Sequence, residues 1–243
     1  MPHTGRFLFG ILFAFVCLVT VGAALAGRLA TVNHFQCYRV VPGTAWKPVT
    51  LPVTDQFGTL KATVGQLQVL CAPASKNGSV VTNKAAHLAC YPIKAPGFKP
   101  RSVVITNQFQ KAAPLTVVVP AHLCVPTGKS VLSTAGPPAV KGLDNYVCYG
   151  VKSPNAIATT PITVIDQFGQ AGGSALQPLN LCAPAGINGS QLVNATTHLV
   201  CYGVKLGPQV KKTPVSIRNR FGVASATVVA RQSLCVPTIK KLG

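Results

Sequence analysis

The sequence predicts an all-β protein with two tandem domains. Three observations lead to this prediction: the residue composition, the spacing of the cysteines and a set of repeated motifs. The chain has 243 residues with 22 Gly and 20 Pro, and its only acidic residues are Asp55, Asp144 and Asp166. Helices favour Glu and are interrupted by Gly and Pro. The composition therefore favours short strands joined by turns.

The cysteines are spaced at constant intervals along the chain. Cys71 follows Cys37 by 34 residues, and Cys148 follows Cys37 by 111 residues. Both intervals recur throughout the set of eight: Cys37, Cys71, Cys90, Cys124, Cys148, Cys182, Cys201 and Cys235. Internal periodicity of this kind predicts four repeated units, with two successive units forming one domain.

Each unit contains the same three motifs in the same order. The first is a Cys-Tyr pair at the end of a predicted strand. The second is a turn with Asp or Asn two residues before Phe, and the third is Leu-Cys-x-Pro. The turn motifs begin at Asp55, Asn107, Asp166 and Asn219. Since Asp and Asn share turn-capping chemistry but not acid–base chemistry, the motif predicts a structural turn.

The predicted organisation follows from these repeats. Residues 1–26 form a signal peptide, and residues 131–142 form a linker rich in Gly and Pro. Domain 1 spans 31–130 with half-repeats 34–73 and 87–126, and domain 2 spans 143–240 with half-repeats 145–184 and 198–237. Each domain is expected to be a small β-sandwich or open barrel, built as a pseudo-twofold duplication of a three-stranded half.

The N-terminal segment has the features of an export signal. Arg6 precedes an apolar run, and Ala24-Leu25-Ala26 provides a cleavage pattern, which places the cut after Ala26. The alternative is an uncleaved anchor, because the apolar stretch is about as long as the 20 residues that span a bilayer. The expected location is extracellular, periplasmic or in the cell envelope. Cleavage would remove Cys17 and leave eight cysteines, an even number typical of disulfides in an oxidising compartment.

The constant spacing favours disulfides within each unit, such as Cys37 with Cys71 and Cys90 with Cys124. A crossed arrangement, Cys71 with Cys90 and Cys37 with Cys124, is equally symmetric and stays open at this point. A disulfide that closes a loop of this length contributes roughly 3–4 kcal/mol in the chain-entropy model.

The motifs resemble those of an uncharacterised repeat domain of exported bacterial proteins. The resemblance is carried by His-x-x-Cys-Tyr, as in His34 to Tyr38, followed by Gln-Phe-Gly and Leu-Cys-x-Pro, and it covers nearly all of the chain after the signal peptide. It implies export and a β-fold, and it implies no activity.

The sequence gives little support for an enzyme, a metal site or a cofactor. His34 and Cys37 are three residues apart, so in a strand they face opposite sides and do not converge on one ion. Three scattered Asp residues do not form the carboxylate pair of a glycosidase. No Gly-x-Ser-x-Gly motif is present, and His122 has no counterpart in the other units. We therefore predict no enzyme activity, no cofactor and no metal.

The charge balance points to anionic partners. The chain has 22 Lys and Arg residues, a formal net charge of +19, and such a field attracts polyanions. The densest basic positions are Lys211, Lys212, Arg218 and Arg220, which gives a weak candidate binding site.

The leading hypothesis is a non-catalytic secreted or envelope module, structural or ligand-binding, with an anionic polysaccharide or envelope component as partner. No specific nucleic acid is expected, and membrane contact would come only from a retained signal segment. The alternative is an inhibitor or accessory protein that binds a secreted partner through the loops after Cys71 and Cys182. A third hypothesis is an enzyme of unrecognised type. The oligomeric state is not predicted.

Overall fold

A computed structural model describes residues 1–2, 32–131 and 137–243. Apart from Met1 and Pro2, the predicted signal peptide lies outside these residues, as do positions 132–136 of the predicted linker. The described residues form thirteen β-strands and no helix. In this part of the chain there is accordingly no helix of the length and apolarity that a membrane crossing requires.

The strands follow the motif order expected from the sequence. Their bounds are β1 His34–Pro42, β2 Val49–Asp55, β3 Gly58–Val64, β4 Val69–Lys76, β5 His87–Lys94, β6 Arg101–Thr106, β7 Ala113–Ser130, β8 Asn145–Lys152, β9 Thr160–Asp166, β10 Gly169–Ile187, β11 His198–Gly207, β12 Thr213–Asn219 and β13 Gly222–Leu242. We call the half-repeats 34–73, 87–126, 145–184 and 198–237 units 1 to 4.

Eight strands, two from each unit, form a closed antiparallel ring. Within the units, β1 pairs with β4, β5 with β7, β8 with β10 and β11 with β13. Between the units, β4 pairs with β5, β7 with β8 and β10 with β11, and β13 returns to pair with β1. The four units therefore follow one another around the ring in chain order.

The pairing does not confirm two separate sandwich or open-barrel domains. Strands from residues 31–130 and from residues 143–240 belong to one antiparallel sheet, which is joined at β7–β8 and again at β13–β1. The physical reason is the size of a ring. Two units supply four ring strands, whereas about eight strands are needed for an interior that side chains can fill.

The remaining strands form four hairpins outside the ring. One is β2 with β3, and the others pair β6, β9 and β12 with the first residues of β7, β10 and β13. Each hairpin also pairs with the second ring strand of the unit two places away: β2 with β10, β6 with β13, β9 with β4 and β12 with β7. The hairpins thus tie together units that are not neighbours in the ring.

The alternation of side chains along each ring strand creates two cores. Successive residues of a strand face opposite sides, so Cys37 faces the interior of the ring while Tyr38 packs beneath the hairpins. The inner core contains the eight cysteines with Phe35, Leu88, Tyr146 and Leu199. The outer core contains the other four tyrosines together with the Val, Leu, Ile and Ala side chains between ring and hairpins.

Candidate functional sites in the lumen and at the turns

The eight predicted disulfide cysteines all lie in the lumen of the ring and are bonded within the units. The pairs are Cys37–Cys71, Cys90–Cys124, Cys148–Cys182 and Cys201–Cys235. The reason is the register of the strands, because the two cysteines of every pair lie directly opposite each other in the ladder. Of the two arrangements left open by the sequence, the structure has the within-unit one.

The lumen is apolar at one end and partly polar at the other. At the first end, Phe35 and its equivalents Leu88, Tyr146 and Leu199 lie opposite the prolines of the four Leu-Cys-x-Pro motifs. At the other end, the cavity lining includes His122, Asn180 and Ser233. The cavity between the disulfides has a volume of about 30 Å³, enough for one or two water molecules and too small for an organic ligand.

The four turn motifs adopt the same hydrogen-bonded conformation. The side chain of Asp55 accepts a hydrogen bond from the backbone N–H of Phe57 at 2.7 Å, and Asp166 does the same for Phe168 at 2.8 Å. Equivalent bonds at 2.9 Å end on Asn107 and Asn219, the corresponding residues of units 2 and 4. We call these four motifs, with the side chains that contact them, the turn sites.

Each turn site receives the tyrosine of the unit two places away. The phenol of Tyr149 donates to Asp55 at 2.6 Å, and that of Tyr38 donates to Asp166 at 2.5 Å. Where the turn has Asn, the direction reverses: the amide of Asn107 donates to the phenol oxygen of Tyr202 at 2.9 Å, and that of Asn219 donates to Tyr91 at 3.0 Å. These contacts fasten the hairpins to the ring.

Burial shifts the titration of both partners in the Tyr–Asp contacts. Burial raises the pKa of Asp55 to about 6, although hydrogen bonds from Tyr149 and Phe57 and the charge of Lys240 act in the opposite direction. The pKa of Asp166 is also raised, mainly by burial. The pKa values of Tyr38 and Tyr149 are raised by burial and then by the adjacent carboxylate. The proton therefore stays on the phenol, which remains the donor.

Histidines from the neighbouring units contact the turn glutamines. His34 lies 2.6 Å from the side-chain nitrogen of Gln108, and His87 and His198 make the equivalent contacts with Gln167 and Gln56. Burial lowers the pKa of His87 and of His198 to about 4 in each case, and nearby lysines lower it further. Both imidazoles are therefore neutral at pH 7. The sequence predicted a hydrogen-bonding role for these histidines, and the glutamine partners were missed.

Three of the turn phenylalanines carry a lysine over the ring. The Nζ atoms of Lys76, Lys129 and Lys240 lie 5.1, 4.8 and 4.8 Å from the ring centroids of Phe109, Phe168 and Phe57, respectively. These distances are those of cation–π contacts. Burial lowers the pKa of Lys129 to about 8, which the charge of Asp166 partly opposes.

The three aspartates serve as hydrogen-bond acceptors inside the protein. Asp55 and Asp144 are buried and Asp166 is half-buried. Asp144 accepts bonds at 2.7 Å from the backbone of Val193 and of Asn194 in the loop after Cys182. Asn33, which precedes it by one 111-residue repeat, accepts a bond from Thr82 in the loop after Cys71. Every Asp thus has an Asn at an equivalent position, so the hydrogen bond rather than the charge is what these sites share.

Two grooves lie between the turns and these loops. One, of about 550 Å³, is lined by the Asn107 turn and by Val80 and Thr82 of the loop after Cys71. The other, of about 420 Å³, is lined by the Asp55 turn and by Ser190 and Leu192 of the loop after Cys182. The structure therefore places both loops of the alternative hypothesis on groove walls.

The predicted basic positions do not form one patch. Lys211 and Lys212 precede β12, whereas Arg218 and Arg220 lie at its far end, and all four are exposed. With a rise of about 3.3 Å per residue, the two pairs are roughly 20 Å apart along the strand.

Comparisons with known proteins do not supply a function. No family model, no curated protein and no solved structure matches the chain. The turn-site contacts were not foreseeable from motif spacing, because they join residues of different units, such as Tyr149 and Asp55. The usable signal was the exchange of Asp and Asn at equivalent positions, which correctly indicated hydrogen bonding.

Proposed function

We propose that this protein is a non-catalytic exported module that binds extended anionic polymers through its cationic surface. The observation that carries the proposal is the inward placement of Asp55, Asp144 and Asp166, each of which is occupied by hydrogen bonds from the protein. A surface whose exposed charged side chains are nearly all basic has a positive field that neighbouring carboxylates do not offset.

The distribution of the positive charges favours a long polymer over a small anion. Most Lys and Arg side chains of the described residues are exposed; Lys76, Lys129, Arg231 and Lys240 are half-buried. A small anion needs convergent donors, whereas a polymer gains from many separate contacts. The four-unit ring distributes such contacts around the molecule.

Export supports an envelope or extracellular polymer as the partner. The structure contains four intramolecular disulfides, which are typical of extracellular and other oxidising compartments. Export by the segment 1–26, the cleavage after Ala26 and the tandem organisation of the two 111-residue halves belong to this proposal.

The proposal is tested by measuring binding to an anionic polysaccharide, to duplex DNA as a polyanion of calibrated charge density, and to a neutral dextran. A basic protein of matched net charge serves as the control. If six or more phosphates are contacted, the affinity for DNA should fall by about 10³-fold or more between about 50 and 200 mM salt. Affinity no greater than that of the control would overturn the proposal.

Two double variants locate the contacts. K211A/K212A and R218A/R220A remove equal charge from opposite ends of β12, so each is the control for the other. A double variant at a contact region should reduce the salt slope by about two units. The same small change in both variants would mean that binding depends on net charge alone.

A second candidate function is that of an inhibitor or accessory protein for a secreted partner. The observation that favours it is the pair of grooves, whose walls expose Val80 and Leu192. This candidate predicts a stoichiometric, salt-tolerant complex with an exported protein, which V80S/L192S should weaken. Binding that disappears at high salt, or that is unaffected by V80S/L192S, would argue against it.

A further inference from the structure

The four disulfides lie against one another in the lumen. All eight cysteines have exposures of 6% or less, and all eight line the same cavity. Because the ring closes around them, sulfurs of neighbouring units are brought into contact. This arrangement is independent of the charges on which the proposed function rests.

Three contacts connect the disulfides of neighbouring units. Sγ of Cys37 lies 3.4 Å from that of Cys235, Sγ of Cys124 lies 3.5 Å from that of Cys148, and Sγ of Cys182 lies 3.8 Å from that of Cys201. Bonds and contacts therefore alternate along a single row of eight sulfurs. In order, the row is Cys71, Cys37, Cys235, Cys201, Cys182, Cys148, Cys124 and Cys90.

The two ends of the row lie on adjacent strands. Cys71 of β4 is opposite Leu88 of β5, and Cys90 of β5 is opposite Val69 of β4. The two cysteines are therefore diagonal neighbours on the lumen side of this pair of strands. In the described part of the chain, no sulfur contact as close as the other three joins them.

We propose that the lumen is a thiol–disulfide relay, in which a thiol formed at one disulfide is passed along the row of sulfurs by exchange with the neighbouring disulfides. Exchange requires a thiolate next to a disulfide sulfur, and the three contacts provide that arrangement in the folded protein. The relay converts within-unit disulfides into disulfides between neighbouring units and moves the free thiols to the ends of the row.

The chemistry balances with a small dithiol as the reductant. Its thiolate attacks Sγ of Cys90 and forms a mixed disulfide, while Cys124 leaves as a thiolate. Cys124 then bonds to Cys148 and releases the next sulfur, and two further exchanges release Cys71, which takes the proton lost by the attacking thiol. The second thiol of the reductant bonds to its own first sulfur and releases Cys90, which is then protonated. One dithiol is oxidised, and the protein gains two electrons, two protons and three disulfides between units.

A neutral base lies in the same cavity. His122 lines the cavity and pairs with Cys148 across β7 and β8, and burial lowers the pKa of its imidazole. A neutral imidazole can accept the proton of an entering thiol. The partly polar end of the lumen is therefore the expected point of entry.

The test on the native sequence is partial reduction of the full chain with substoichiometric dithiothreitol. Every sample carries Cys17→Ala, so that this cysteine, which lies outside the described residues, cannot take part. After an acid quench, the protein is unfolded with excess maleimide at mildly acidic pH, and its disulfides are mapped by mass spectrometry. The relay predicts Cys37–Cys235, Cys124–Cys148 and Cys182–Cys201, with the label on Cys71 and Cys90. Label found only on within-unit pairs would overturn it.

Two single variants isolate exchange from reduction. Cys90→Ser and Cys124→Ser remove the same disulfide, but the first leaves Cys124 in contact with a neighbouring sulfur, and the second leaves Cys90 at the end of the row. If the four placements have similar energies, about three quarters of the free thiol in C90S should be found away from Cys124. In C124S the thiol should stay at Cys90. A thiol that stays at Cys124 in folded C90S would refute the relay.

Discussion

Replacing His87 and His198 together with asparagine should remove a loss of stability that the protein shows in mild acid. Both side chains are nearly inaccessible, with 3% and 2% of their surface exposed, and burial lowers their pKa values to about 4. Asparagine is a conservative replacement, because Asn145 occupies the equivalent position of unit 3.

The magnitude follows from proton linkage. The unfolded chain binds a proton at each histidine near pH 6.5, whereas the folded protein does so only near pH 4. These histidines therefore contribute stability above pH 6.5 that is lost as the pH falls towards 4. At about pH 5 the loss relative to neutral pH is about 2 kcal/mol for each histidine, or about 4 kcal/mol for the pair.

The assay is equilibrium unfolding of the oxidised protein in guanidinium chloride at about pH 7.5 and pH 5. It is followed by the fluorescence of Trp46, the only tryptophan, which packs on Tyr91 and Phe221. Contributions from the aspartates occur in both proteins and cancel. The stability of the wild type relative to H87N/H198N should fall by about 4 kcal/mol between the two pH values.

The control is His34→Asn, because His34 is only half-buried and should give a smaller change. If the difference between wild type and H87N/H198N is the same at both pH values, the histidines titrate alike in the folded and unfolded states. The reasoning from burial would then be refuted.

Three further substitutions test the turn sites and the sheet. D55N should abolish the loss of stability that the raised pKa of Asp55 causes as the pH rises from about 4 to about 6, measured by chemical unfolding across that range. Y149F removes the phenol donor to Asp55 and should cost about 1–3 kcal/mol, and a double-mutant cycle with D55N should show coupling. G173A should destabilise by about 1–3 kcal/mol, because its Cβ would lie 2.1 Å from a backbone carbonyl oxygen, whereas G172A meets no atom within 4 Å and should cost less. Equal midpoints for the two glycine variants would contradict the reasoning.

Local features of the fold could be predicted from the sequence. The alternation of Cys37 and Tyr38 predicted strands with two faces, and the spacing of 34 residues favoured the pairing of Cys37 with Cys71 that the structure has. Both signals work because a cysteine pair within one unit depends on strands that are close in the chain. Turn capping by Asp55 was equally local, since its acceptor role involves Phe57.

The closure of the ring could not be predicted in the same way. Periodicity specifies equivalent strands, but it does not say whether two units or four share a sheet. The deciding pairs are Phe35 with Cys235 and Cys124 with Tyr146, which join units through β13–β1 and β7–β8. They follow from the number of strands needed to enclose the cysteines, and no spacing in the sequence encodes them.

One turn site departs from the other three, and its departures occur together. Three of the histidines contact the turn glutamine of another unit. By the order of the ring, the remaining combination is Asn145 of unit 3 with Arg220 of unit 4. These two positions are also where the sequence departs from the repeated His and Gln. The two substitutions, which seemed unrelated along the chain, thus belong to one site.

The same site has also lost its lysine. Ile187 stands one 111-residue repeat after Lys76, at the position where the other units have the lysine over a phenylalanine, and Trp46 packs against Phe221 instead. Each site nevertheless keeps one basic side chain, because Arg220 enters where the lysine is missing. The charge of Arg220 is therefore accounted for by the repeat. Among the basic positions singled out from the sequence, Lys211 and Lys212 are then the stronger candidates for contact with a polymer.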